Sequence, residues 1–380
     1  MAQFYSMSET KKSLPKRKVE SSGENSKRLA TSANVATAKC FFKPAPQPTQ
    51  RARGETTDCC GDFTVSFLDE DETKIKRLLD EYGFAIVTDV LTDQECQRVI
   101  DGVWDSVEKI TKGLDIPVDR NNSLTWSGIR KQENIRNLYK FHGIAHAEFL
   151  WTLRQNPNIL RIFSSLYNCR PEDLLASFDG LSMQTPPEYG NNRGWYNNNS
   201  WYHVDQSYTR PKRECYQGWV TARDVRPGDY TTGFFVGSHK SFEDFGKKFK
   251  STKKDDFNKL LGREQMEFYE ARHDQIRVSC PAGSLIVWDS RSLHSGLDPV
   301  KERKRPNERI ICFLSYGPRF GASKKFLQKR IGLYESRRAT SHWAHMNLRT
   351  IPEKKPSHAG IRKLESSPIE TKCLRLLVGY

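Results

Sequence analysis

NSWYHVDQSY, residues 199–208, sets an imidazole and a carboxylate two positions apart within a run of β-forming residues. In a strand, residues i and i+2 point to the same face, so His203 and Asp205 project together. Five further runs share this texture: ASFDGLSMQ (176–184), YQGWVTARDV (216–225), TTGFFVGS (231–238), GSLIVWD (283–289) and RIICFLSYG (309–317). Short apolar or alternating runs punctuated by Gly, Pro and Asn predict a mainly β sandwich or barrel.

Upstream, the periodicity changes. In DETKIKRLLDEYG (71–83), Ile75, Leu78, Leu79 and Tyr82 recur at helical spacing, and Gly83 ends the helix. FAIVTDVL (84–91) reads as a strand. Thr92-Asp93-Gln94-Glu95 is a capping-box pattern opening a second helix with Cys96, Val99, Ile100, Val103, Val107 and Ile110 on one face. A further helical stretch covers roughly 145–168, interrupted near Pro157. Residues 1–60, rich in Ser, Thr, Lys, Pro and Gln, read as a disordered basic tail. Within it, KKSLPKRK (11–18) has the composition of a nuclear import signal. The folded domain is expected over 61–320, with a charged helical insert at about 241–273. A basic extension, 321–380, is expected to pack on the barrel and carries TSHWAH (340–345).

No run of 18 apolar residues exists among the 380, so membrane insertion is not expected. The first 18 residues lack the apolar core of a secretory signal. Nine scattered cysteines without a CxxC pair read as reduced thiols, and a cytoplasmic or nuclear location is expected. The net charge of +15 favours nucleic acid or another polyanion as partner, or solvated basic faces.

His203 and Asp205 need a third ligand to hold a metal. His294 follows the apolar run GSLIVWD at 294 − 205 = 89 residues from Asp205, so only sheet pairing or packing can bring them together. Two histidines and one carboxylate on one octahedral face leave three open positions, which suits non-haem iron(II). Zinc uses similar ligands, and the triad alone does not choose. A dicarboxylate cosubstrate needs a cation at its far end, and Arg grips carboxylates through two parallel hydrogen bonds. Arg309 opens its strand 309 − 294 = 15 residues after His294; Arg305, at 305 − 294 = 11, lies in the loop KERKRPNE and competes. The strand fixes Arg309 more firmly.

Across roughly 75–320 these residues resemble the phytanoyl-CoA dioxygenase superfamily. The likeness is carried by YGFAIVTDVLTDQEC, WYHVDQS, TTGFFVGSHKSF, GSLIVWDSRSLHSG and NERIICFLSYGPR. It extends to a branch with SFDG, here 177–180, and TSHW, here 340–343. The resemblance implies a double-stranded β-helix, a jelly-roll or cupin-like barrel with flanking helices. It implies iron(II) on His203, Asp205 and His294 as the catalytic set. Arg309 would hold the remote carboxylate of 2-oxoglutarate, and Gln184 would stand near its keto-acid end. Dioxygen is the co-reactant, and ascorbate is expected to stimulate. The expected reaction is hydroxylation of a small organic substrate, with succinate and carbon dioxide as co-products. The same chemistry on nucleic acid or protein is the alternative, as is a non-catalytic binding module of this fold. Phe234-Phe235-Val236 departs from the family's usual lead into Gly-Ser-His-Lys, which bears on the substrate pocket. Asp205 is present, so the halogenating relatives, which lack this carboxylate, are not indicated.

Other residues have two readings each. His239 caps a turn or joins a site. His342 and His345 line the site or anchor a structural tail. Trp201, Tyr202, Tyr208 and Trp219 form a substrate wall or core. The loop with Asn191, Asn192 and Asn197 to Asn199 is a gate or only a loop.

Overall fold

The computed structural model describes residues 61–131, 137–189, 201–301, 303–352, 358–365 and 367–380. The basic tail, its import-like cluster and the Asn-rich loop lie outside the described residues. In chain order the strands are β1 (Thr64–Ser66), β2 (Phe84–Thr88), β3 (Leu138–Tyr139), β4 (Leu174–Ala176), β5 (Leu181–Gln184), β6 (His203–Val204), β7 (Tyr216–Thr221), β8 (Thr231–Phe235), β9 (Asn258–Lys259), β10 (Gln275–Arg277), β11 (Leu285–Asp289), β12 (His294–Leu297) and β13 (Arg309–Pro318). The helices that matter below are α1 (Glu72–Tyr82), α2 (Asp93–Thr111), α3 (Glu148–Arg154), α4 (Pro157–Tyr167), α5 (Phe242–Lys248), α6 (Arg263–Glu270), α7 (Lys324–Glu335) and α8 (Lys372–Val378).

An eight-stranded sheet runs β1-β2-β11-β7-β13-β5-β3, with β4 also paired to β13; a five-stranded sheet runs β10-β8-β12-β6-β9. β1 and β2 are parallel and the other pairings are antiparallel. The two sheets meet through an apolar interior. Phe84, Ile86, Trp219, Ile286 and Ile311 of the large sheet pack with Phe234 of the small one. Phe84 and Phe234 stack at 4.6 Å between ring centroids. The fold is a jelly-roll barrel with flanking helices.

Local chemistry explains the flanks. Thr92 and Glu95 form the capping box that starts α2. Gly83 closes α1 at φ 82°, a left-handed conformation that favours glycine. Asn156 caps α4, where Pro157 occupies the first turn and loses no helical hydrogen bond. The stretch 241–273, read as helical, is instead α5 and α6 with β9 between them. Phe242, Phe245, Phe268 and Tyr269 from this insert cover the outer face of the small sheet against Tyr202, Val204 and Leu297.

One expectation about the strands changes. The run around His203 shrinks to two residues of regular strand, and Asp205 lies just beyond it. GSLIVWD and the His294 segment belong to different sheets. A turn held by Ser292 N–H to Asp289 O (2.9 Å) carries the chain from β11 across to β12.

The extension beyond 320 packs on the barrel through buried cations. Arg330, fully buried on α7, donates to Ala176 O (2.6 Å), Ala344 O (2.6 Å), Leu377 O (3.0 Å) and Val378 O (2.9 Å). One guanidinium thus joins β4, the 340s segment and the carbonyl end of α8, where a cation is favoured. The segments 177–180 and 340–343 meet here: Thr340 N–H donates to Phe178 O, and Phe178 N–H to Thr340 Oγ1, both at 2.9 Å. A Cβ on Gly180 would lie 1.8 Å from Tyr139 O, so only glycine permits this approach. The six described cysteines are free thiols, and no helix among the described residues is long and apolar enough to cross a membrane.

His146 locks the same junction. Its Nε2 lies 3.1 Å from Arg338 O, while Nδ1 accepts from Trp151 Nε1 at 3.4 Å. Burial pushes this imidazole down from 6.5 to about 3, against the raising effect of the Arg338 carbonyl. A folded-state value below the unfolded one means that stability is fully present above pH 6.5 and is lost as pH falls towards about 3. The urea midpoint should therefore fall between pH 7 and pH 5, and His146→Phe should make that fall shallower. An unchanged pH dependence in the variant would remove this account. Arg330→Ala should destabilise by at least about 3 kcal/mol, since several buried carbonyls lose their donor together; a loss below 1 kcal/mol by the same denaturation would contradict it.

Candidate metal centre and cosubstrate site

β6 and β12 are adjacent antiparallel strands, and their register sets His203 directly opposite His294. Asp205 joins them from the residue after the strand, its own N–H donating to Ser290 O at 3.2 Å. His203 Nε2 lies 3.6 Å from Asp205 Oδ1, and His294 Nε2 lies 3.4 Å from Asp205 Oδ2. One ligand atom from each of the three falls within 4.8 Å of the others.

Both imidazoles are held the same way. His203 Nδ1 lies 3.1 Å from Trp201 O, and His294 Nδ1 lies 3.0 Å from Ser292 O. A carbonyl can only accept, so each Nδ1 carries the proton and each Nε2 keeps a lone pair for a metal. Trp201 stacks flat on His203 (4.4 Å, 9°) and Trp288 lies 5.3 Å from His294, which fixes both ring planes. Burial alone would raise the Asp205 carboxyl. With the metal absent and a proton on each Nε2 instead, the charge on His203 and the hydrogen bond from His294 outweigh burial and hold the group well below the usual carboxylate range, and a bound cation would take the place of those protons. Asp205 is therefore a carboxylate ready to ligate.

A cavity of about 780 Å³ contains the triad and also Gln184, Arg309, Trp219 and Thr232. Arg309 opens β13, and its cross-strand partner on β5 is Gln184. Its guanidinium donates to Ser182 Oγ at 3.1 Å and reaches Thr232 Oγ1 at 3.5 Å. Its Nε is buried without a partner, as is Gln184 Oε1. Burial lowers the guanidinium to about 10 despite the opposing charge of Asp298, which still leaves it charged at neutral pH. No carboxylate among the described residues forms an ion pair with Arg309. Arg305 is exposed and does not line the cavity. Arg303, in the same loop, is consumed by Glu188 and Asp229.

A buried cation lacking an anion, beside an unpartnered amide oxygen and within the same cavity as two histidines and a carboxylate, fits a metal with a carboxylate-bearing cosubstrate. A hydrolytic zinc site has no use for that second anchor. The fold and the site together define an iron- and 2-oxoglutarate-dependent oxygenase. The family model for phytanoyl-CoA dioxygenase (PhyH) matches residues 79–298, and the chain belongs to that family. The match takes in Gln184, His203, Asp205 and His294; Arg309 and the 340s segment lie beyond it.

Among relatives, Ava biosynthesis cluster protein O of Aspergillus versicolor is 22% identical over 274 residues, covering 69% of this chain and 83% of the relative. A crystal structure from Salmonella typhimurium LT2 is 10% identical with a TM-score of 0.50, covering 84% of this chain and 86% of that one. The structure of the α-ketoglutarate-dependent carbocyclase SnoK from nogalamycin biosynthesis is 14% identical with a TM-score of 0.44, covering 64% and 82%.

The remaining candidates divide. Trp201 and Trp219 line the cavity, whereas Tyr202 and Tyr208 belong to the core beneath the insert. His239 bonds Asp80 O at 3.1 Å in a short helical turn outside the cavity. His342 lines the cavity, while His345 packs beside Tyr167 and Gly317. The sequence reading missed Phe257, whose ring lies 4.7 Å from His203, because nothing in the charged insert marked β9 as a partner of β6.

Wild-type protein should bind Mn(II) as an iron surrogate in calorimetry, and Asp205→Ala should weaken it by at least about a hundredfold, since it removes the charged ligand itself. Equal affinity in the variant would place the metal elsewhere.

Proposed function

We propose that this enzyme hydroxylates a small organic molecule, with iron(II), 2-oxoglutarate and dioxygen as reactants and succinate and carbon dioxide as co-products. The observation that carries the reading is Arg309: a buried guanidinium without a carboxylate partner, in the cavity that holds the triad. Ascorbate is expected to stimulate by keeping the iron reduced.

His203 and His294 would hold the metal through Nε2 and Asp205 through its carboxylate. Arg309, steadied by Ser182 and Thr232, would take the remote carboxylate of 2-oxoglutarate. Gln184 would stand alongside as the neighbouring polar group. When bound, the metal and cosubstrate supply the oxidising chemistry, coupling decarboxylation to oxygen activation. Trp201, Trp288 and Phe257 pack against the imidazoles and limit water around them. A cavity of about 780 Å³ supports a small-molecule substrate, being in the range of ordinary ligand sites. A relative named for a biosynthesis cluster accords with this.

Purified enzyme with iron(II), ascorbate and 2-oxoglutarate should release succinate slowly even without substrate, and His203→Ala should not. Arg309→Met should weaken 2-oxoglutarate by at least about thirtyfold, the cost of removing one partner of a buried charge pair. The same variant should raise the melting temperature of the metal-free protein, because it removes an uncompensated buried charge. Normal cosubstrate affinity in Arg309→Met would sink the assignment.

A further inference from the structure

The cavity holds further polar groups to which metal and cosubstrate assign no role. Three successive residues there carry buried polar atoms without a partner: Ser341 Oγ, His342 Nε2 and Trp343 Nε1. All three residues line the same cavity as the triad. Buried polar groups are nearly always hydrogen-bonded in folded proteins, so three consecutive orphans on one wall point to a missing partner that brings its own polar atoms. The segment is not loosely placed. Thr340 is hydrogen-bonded to Phe178, Ser341 N–H donates to Arg349 O at 2.9 Å, and Arg330 holds Ala344 O. His342 lines the same cavity as Asp205 and Asp179.

The other walls narrow the chemistry. Charged groups come largely as neutralised pairs: Lys140 with Asp179 at 2.7 Å, and Arg349 with Asp256 at 3.4 Å. Lys259 also lines the cavity but is solvent-exposed. Aromatic side chains in the lining include Trp201, Phe257 and Phe313. Serine and tryptophan offer hydrogen-bond donors, and histidine offers either role.

We propose that Ser341, His342 and Trp343 form the substrate-recognition site, taking a hydroxyl or carbonyl oxygen of an uncharged, ring-bearing small molecule. This rests on the oxygenase reading above and names its substrate class. The oxygen would bond to the 341–343 segment while the ring lies against the aromatic wall near the metal. Among the described lining residues an anionic substrate would find no buried unpaired cation besides Arg309, Lys259 being solvent-exposed, and an aliphatic chain would leave the three polar atoms unpartnered.

The test uses the full chain loaded anaerobically with iron(II) and 2-oxoglutarate, whose charge-transfer absorption reports the cofactor site independently of substrate. Dihydroxyanthraquinone, anthraquinone carboxylate and palmitoyl-coenzyme A are titrated as probes by calorimetry. The first should bind and shift the absorption band; the other two should bind more weakly. His342→Ala should weaken the first probe at least about fivefold, the worth of one neutral hydrogen bond, while His342→Gln retains most of the affinity. Binding by His342→Ala as tight as the wild type would overturn the proposal, as would a preference for either charged probe. Loss of the absorption band in His342→Ala would overturn it too, by moving this residue to the cosubstrate end. Absence of the band in the wild type would instead refute the oxygenase reading.

Discussion

The pairing of His203 with His294 across two antiparallel strands is the constraint on which the site depends. These residues are far apart in the chain, and only backbone hydrogen bonding between β6 and β12 brings their rings to 4.3 Å. A slip of one residue would turn one imidazole to the opposite face of the sheet, into the apolar core under α5 and α6. The register is protected from both sides. Val204 and Leu297 are buried beneath the insert, while Trp201 and Trp288 brace the rings. The hydrophobic core and the metal geometry are thus specified by the same alternation.

Much of this was legible in the sequence, for identifiable reasons. The capping box at Thr92–Glu95 and the Gly83 stop are local signals, and the helices follow them. The spacing of His203 and Asp205 correctly brought the two together, although Asp205 reaches the site from beyond the strand end. Arg309 lines the cavity from the start of a strand, whereas Arg305 lies exposed in its loop. Less visible was the crossover between β11 and β12, since a four-residue turn leaves little trace when apolar residues flank it on both sides. β9 was hidden by the charged surroundings of a two-residue strand. The approach of TSHW to SFDG is a tertiary contact with no periodic signature, and only the resemblance to relatives marked those motifs.

The basic composition also has a structural explanation. Part of the cationic excess is spent inside the protein. Arg154, Arg309 and Arg330 are all buried, and among the described residues none forms a salt bridge. Arg154 and Arg330 satisfy main-chain carbonyls and bind distant segments together. Arg309 differs in kind, because its guanidinium reaches the side-chain hydroxyls of Ser182 and Thr232 instead of main-chain carbonyls, and it lines a cavity. Buried arginines of one charge and similar depth therefore divide by surroundings: Arg154 and Arg330 fasten main-chain segments, whereas Arg309 lines the cavity.

The role of Arg330 has a consequence for how the protein is made. It clasps β4 to carbonyls in the 340s and at Leu377 and Val378, which leave the ribosome well after the metal-binding strands. The triad can assemble on the emerging barrel while the wall bearing His342 is still being translated. During that interval the cavity would stand open on the side that Ser341, His342 and Trp343 line. Docking of α8 onto Arg330 is therefore among the last steps by which the cavity acquires its full wall.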